Sequence, residues 1–305
     1  MIDIKAIKVV NYLGETLRMP MEQPEESGFY VLGIEGLTPT KADISMDSVA
    51  TNDGSIYSYS RKINRNIIIT LGFNDDVMDV TDIRHLTYKY FPEKKPIDFI
   101  VETDKVTYYT KGYVESNQPN IFTPFQATSI SIVCPSAYLY EYGPDKETIF
   151  YGTNPEFQFP FSNESLTEDL IIFGNIQNKT EQTLFYNGDA EVGIKITIDA
   201  IGRVQNLKIY DILGRQLMLI DTNKIKAITG DDIIAGDKII ISTVQSNKYA
   251  ILIRQAKEYN ILNALGRNVP WFTLKKGENR YAYSADIGVE LVKFRIENPI
   301  AYTGI

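Results

Sequence analysis

One cysteine, one histidine and one tryptophan are all that the 305 residues provide, and each scarcity closes a class of function. Cys134 alone permits no internal disulfide and no cysteine metal cluster. In Ile130-Ser-Ile-Val-Cys134 it reads as a small apolar strand residue. His85 alone excludes a zinc site with two or more histidines, and leaves any Ser–His–Asp or Cys–His arrangement a single imidazole. No run reaches the ~18 apolar residues of a membrane span. The opening Met1-Ile-Asp-Ile-Lys-Ala-Ile-Lys has no long apolar core of a secretory signal, so synthesis in a cytoplasm is expected. Basic residues never cluster beyond Lys94-Lys95 or Lys275-Lys276, and a net charge of −8 repels phosphate, which disfavours nucleic-acid binding. No cofactor or metal is expected.

What is abundant points to β-structure. Twenty tyrosines and 14 phenylalanines stand among runs of isoleucine and threonine, residue types that suit a pleated, half-buried surface. The most informative stretch is Trp271-Phe-Thr-Leu-Lys-Lys-Gly-Glu-Asn279, apolar residues ahead of a polar reversal, followed by alternation over 281–296. It predicts strand, tight turn and strand, with Gly277 taking a positive φ and Asn279 bonding nearby backbone. It offers no nucleophile and no proton relay, which points to an architectural protein.

Residues 1–140 read as strands interrupted by one helix. The helix is expected over 81–90, capped by Thr81 or a neighbouring aspartate, with Ile83, Leu86 and Tyr90 at helical spacing and Pro92 as its stop. His85 lies beside that apolar stripe and reads as structural or exposed. Asn52-Asp53-Gly54-Ser55 signals a hairpin turn in a polar arm from 41 to 65. That arm has few apolar residues to bury and would be marginal as a free hairpin, so it is expected to pack on another chain. Residues 141–155 shift to Gly, Pro, Asp and Asn and read as a linker. Residues 156–305 read as strands at regular spacing, over 156–161, 170–177, 194–199, 207–212, 216–219, 238–243 and 249–254. Such spacing predicts a sandwich of two antiparallel sheets.

In its order of motifs the chain resembles the distal tail proteins of bacteriophages with long non-contractile tails. The likeness rests on Gly33-Ile-Glu-Gly-Leu37, the Asp53-Gly54 turn, Arg65-Asn-Ile-Ile-Ile-Thr-Leu71 with the helix after it, and Ser129-Ile-Ser-Ile-Val-Cys-Pro135 leading to Ala137-Tyr138. It continues in Phe159-Pro-Phe161, Asn187-Gly-Asp-Ala-Glu-Val-Gly193, Trp271-Phe-x-Leu-x-x-Gly-x-Asn279 and Tyr302-Thr-Gly-Ile305. The resemblance implies a mainly β fold: an N-terminal β-sandwich with one helix and a protruding hairpin, then a galectin-like antiparallel β-sandwich. It implies a homohexameric ring at the tail tip or baseplate of a virion, with a channel for DNA. The tail tube protein and a tail-associated fibre or lysin protein are the implied partners. A receptor-binding protein is a further one, although 156–305 leaves little room for the arm that holds it in some members.

Other readings stay beside this one. A galectin-like half suggests carbohydrate binding aiding adsorption to a host, with Trp271 stacking on a sugar and Asn268 and Asn279 orienting it. A lone Trp among strand residues also reads as core. Glu164 with Glu168-Asp169 could form the carboxylate pair of a glycoside hydrolase, but chance pairs abound among 39 acidic residues. Asp231-Asp232 and Asp237 lack the regular ligand run of a calcium loop and read as a solvated turn. Asp75, Asp76, Asp79 and Asp82 read as a channel lining or as a solvated helix entrance. Asn163-Glu-Ser165 and Asn178-Lys-Thr180 match the glycosylation pattern, which has no bearing in a bacterial cytoplasm.

Overall fold

A computed structural model describes residues 4–48, 53–155, 174–266 and 268–305. The chain divides into two units, Met1–Gly143 with Ala301–Ile305, and Pro144–Ile300.

The first unit is a large antiparallel sheet around one core, with a separate two-stranded ribbon. Its strands are β1 (Ile4–Val10), β2 (Thr16–Pro20), β3 (Phe29–Glu35), β4 (Ala42–Ser48), β5 (Ser55–Lys62), β6 (Arg65–Phe73), β7 (Pro96–Thr103), β8 (Thr107–Asn120), β9 (Ala127–Cys134) and β10 (Leu139–Glu141). The main order is β2-β1-β7-β8-β9-β6-β3, and β10 joins β8 to the terminal strand Ala301–Tyr302. Alternation explains the sheet's sidedness: Ile67, Ile69 and Leu71 of β6 and Ile130 and Ile132 of β9 all point into the core. The helix α1 (Val80–Tyr90) turns Ile83 and Thr87 inward. Asp79 caps it, accepting from the Thr81 amide at 2.8 Å. The Asn117 side chain donates to Thr87 Oγ1 at 3.1 Å and accepts from Thr128 Oγ1 at 2.6 Å, tying α1 to β8 and β9.

One side chain organises this unit in a way the sequence did not announce. Arg65, wholly buried, donates to the carbonyls of Gly36, Thr38, Ala137 and Thr303. A fixed guanidinium fork thus joins the approach to β4, the loop after β9 and the carboxy-terminal segment. Gly36 beside it must be glycine: its φ is +84° and a Cβ there would fall 1.9 Å from the Asn66 carbonyl oxygen.

The second unit contains β11 (Lys146–Ile149), β12 (Tyr151–Pro155), β13 (Gly174–Asn178), β14 (Glu181–Tyr186), β15 (Val192–Gly193), β16 (Lys195–Ala200), β17 (Leu207–Asp211), β18 (Gln216–Ile220), α2 (Thr222–Thr229), β19 (Lys238–Ser242), β20 (Tyr249–Arg254), β21 (Lys257–Asn260), β22 (Thr273–Leu274), β23 (Gly277–Ser284) and β24 (Val292–Asn298). A six-stranded sheet, β11-β24-β16-β19-β20-β21, and a four-stranded one, β14-β23-β17-β18, are both antiparallel. They face each other: Tyr283 of β23 stacks on Phe294 of β24 with centroids 5.0 Å apart, and Phe150 packs on both rings. The whole chain is therefore mainly β, built from antiparallel sheets.

Two expectations need correction. Residues 141–155, expected as a linker, carry β11 and β12, and the wholly buried Phe150 between them belongs to the second core. The expectation of strands throughout 156–305 missed α2. Asp221 caps that helix, accepting from the Asn223 amide at 2.9 Å, and Gly230 closes it at φ +88°. Residues 156–161, much of 170–177, and the hydrolase candidates Glu164, Glu168 and Asp169 lie outside the described residues, as does Asn163.

Candidate assembly surface

The arm expected around Asp53-Gly54 forms a two-stranded ribbon, β4 with β5, that is a sheet to itself. Gly54 turns it at φ +100°, and Asp53 and Ser55 flank that turn, while Asn52 lies outside the described residues. Every residue of β5 is exposed, and so is every residue of β4 except Ser45. The ribbon nevertheless displays large apolar groups: Ile44, Met46, Ile56, Tyr57 and Tyr59 are all more than half exposed. Polar side-chain contacts, two of them between the strands, hold its shape. Arg61 Nε donates to Asp43 at 3.0 Å, Tyr57 OH pairs with Ser60 Oγ at 2.8 Å, and Ser58 donates to Asp47. A two-stranded ribbon with this exposure has no core of its own to stabilise it.

A second apolar surface lies where β8 turns into β9. Phe122 is 93% exposed, and Ile121, Phe125 and the β3 residue Leu32 are about half exposed. Phe125 lies over Gly72, where a Cβ would come within 2.9 Å of its ring. Beside it is a cleft of about 340 Å³, lined by Pro20, Met21, Pro24, Tyr30, Leu32 and Phe125 among others.

The remaining sequence candidates resolve into local structure. Asn279 is buried. Its side chain accepts from the Lys275 amide at 2.9 Å and donates to the Lys275 carbonyl at 2.7 Å and that of Gly277 at 3.1 Å. Gly277 has φ +95°, so the turn forms as its residues dictate. Trp271 is half-buried rather than core, with Lys248 Nζ 5.1 Å from its ring centroid, and Asn268 is exposed. Asp237 is buried against Arg254, which donates to both carboxylate oxygens at 2.6 and 2.7 Å. Asp232 accepts from Arg203 at 2.8 Å and from Gln205 at 2.9 Å, and these bonds hold its carboxyl below the usual range. Arg254 thus takes both oxygens of Asp237, while Arg203 and Gln205 share one oxygen of Asp232.

His85 is exposed on α1 and meets Tyr88 edge-on at 5.7 Å. Asp75, Asp76, Asp79 and Asp82 are all exposed around the start of α1, and Asp79 serves as its cap. Cys134 is buried in the first core, and burial pushes its thiol up to about 11 despite the opposing effects of Thr110 and Arg65. Among the described residues no three His, Cys, Asp or Glu side chains gather as metal ligands. No described helix is long and apolar enough to cross a membrane.

No protein-family model matches the sequence and no curated protein matches it either. Solved structures do resemble it. The phage p2 baseplate, in its activated conformation with strontium and with calcium, contains chains at 10% identity. The two cover 97% and 96% of this chain, and the match spans 98% and 97% of theirs, with TM-scores of 0.49 and 0.48. The SPP1 Dit protein, gp 19.1, described as a paradigm of the hub adsorption apparatus in phages infecting Gram-positive bacteria, matches at 12% identity. That match covers 96% of this chain and 99% of SPP1 Dit, with a TM-score of 0.60. Over 96% of its length this chain is similar in fold to the SPP1 Dit protein.

Proposed function

We propose that the protein is a structural hub of a phage tail tip or baseplate. Copies of the first unit close into a hexameric ring that joins the tail tube to the tip fibre or lysin protein and leaves a channel for DNA. The observation that carries this reading is the β4–β5 ribbon, a sheet with its apolar side chains in solvent and no further strand paired to it among the described residues. A six-fold ring repeats one heterologous contact until it closes, so each copy must offer a donor and an acceptor surface. The ribbon suits the donor role. Fold likeness to SPP1 Dit across both units supports the same assignment. The second unit supplies a galectin-like sandwich for the outside of the ring. The work is geometric rather than catalytic, and a net charge of −8 keeps a passing duplex unbound. Negative-stain images of the purified full chain should show annuli with a central channel; a field of solitary particles would overturn the reading.

A further inference from the structure

Residues 301–305 follow the whole of the second unit in sequence, yet they belong to the first. They lie off the main path of its sheet, β2-β1-β7-β8-β9-β6-β3, which is complete without them. They run instead against residues 36–39, where the chain leaves β3 for the ribbon. The Ile305 amide donates to the Leu37 carbonyl at 3.0 Å. Gly304 fits so closely that a Cβ on it would fall 2.8 Å from Cδ of Pro39 and 2.9 Å from the carbonyl carbon of Thr38. The Thr303 carbonyl accepts from Arg65 at 2.7 Å, and the same guanidinium holds the carbonyls of Gly36 and Thr38. Arg65 also opens β6, where the ribbon's other leg returns. Tyr302 anchors the segment, pairing with Leu139 of β10 and meeting Tyr108 edge-on at 5.2 Å.

We propose that residues 301–305 are a strap that fixes the root of the β4–β5 ribbon, so that only a chain made through residue 305 holds the ribbon ready for assembly. The link to assembly rests on the ring reading; the strap itself does not. The ribbon has no core, so its direction is set by its two legs, residues 36–41 and 63–65. Without the strap the Leu37 carbonyl loses its donor and Arg65 loses one of its four acceptors. Thr38 and Pro39 lose the backbone packed on them. The main path of the sheet loses no strand. None of the buried side chains in the core cluster comes from the strap; Tyr302 and Ile305 pack against it only partly buried. A loose root lets the ribbon sample many directions, and these must be given up when it joins another chain, which weakens association. Chain order then acts as a check on completeness, because every residue of the second unit precedes the strap.

Hydrogen exchange read by mass spectrometry tests the strap in three proteins: the full chain, a chain stopped after Ile300, and Gly304→Val. The last keeps the length but crowds Thr38 and Pro39. The expected result is selective. Amides over 36–41 and 63–65 exchange at least ~10-fold faster in both variants, while β1, β7, β8 and the second unit keep their protection. A root that exchanges at the full-chain rate in either variant overturns the strap. Loss of protection throughout the first unit overturns it too, because the segment would then be an ordinary part of the core. Light scattering on the same proteins tests the link to assembly: the stopped chain should stay single at concentrations where the full chain assembles. Rings from the stopped chain overturn that link. Solitary full chains overturn the ring reading and not the strap, which the exchange pattern decides alone.

Discussion

Arg65 ties three separate segments of the first unit together through backbone carbonyls. Its four carbonyl acceptors lie in three segments, one of them 238 residues away in sequence. Truncation leaves those acceptors buried without donors. Arg65→Leu should therefore destabilise the first unit by about 3 kcal/mol or more, read as a lowered denaturant midpoint; a loss within ~0.5 kcal/mol, the usual range for surface sites, would contradict the role. The buried pair of Asp237 and Arg254 makes a parallel case in the second unit. Asp237→Ala leaves an uncompensated guanidinium and should cost about 3–5 kcal/mol, while added calcium should leave the wild-type melting temperature unmoved. Cys134 and three tyrosines govern behaviour in alkali, Tyr281 among them, whose hydroxyl is also pushed up by burial. Burial pushes the thiol up to about 11 and the hydroxyls of Tyr109 and Tyr283 up to about 12. The unfolded chain ionises these groups first, near ~8.5 and ~10, so the stability they add is whole below those values and fades as pH climbs toward 12. Cys134→Ala should flatten the early part of that decline, between about pH 9 and 11, in denaturation midpoints; an unchanged slope would mean the thiol is not protected.

At the scale of elements, chain signals and tertiary contacts divide the explanation. The helix α1 could be read because its stop, its apolar spacing and its aspartate cap are all local, and Asp79→Ala should cost it about 1 kcal/mol by thermal unfolding. The turn before Asn279 was equally local. By contrast α2 has the right ends, Asp221 and Gly230, but Thr222, Ile225, Ile228 and Thr229 within it favour strands, and packing overrode that propensity. Residues 141–155 look like a linker by composition. Yet Ile149 and Phe150 lie within them, and antiparallel pairing to β24 supplies what the glycines and aspartates lack. Arg65 was hidden for a third reason: its partners are backbone carbonyls, which leave no trace in residue identity. The ribbon was foreseen from Asp53-Gly54, but the apolar cleft is gathered from β2, β3 and the turn after β8, and no single stretch announces it.

For the whole molecule, the account turns on unit one being incomplete alone. A ribbon with no core and a phenylalanine standing in water are costly in a solitary chain and useful in a closed ring. Deleting residues 47–60 should leave both cores intact, giving a folded, soluble monomer with unchanged circular dichroism in the second unit's aromatic bands. The most direct test is the mass in solution of the untouched full chain by light scattering across a wide range of concentration. The account predicts a species of six chains, each 34.6 kDa; a single chain at every concentration would contradict it.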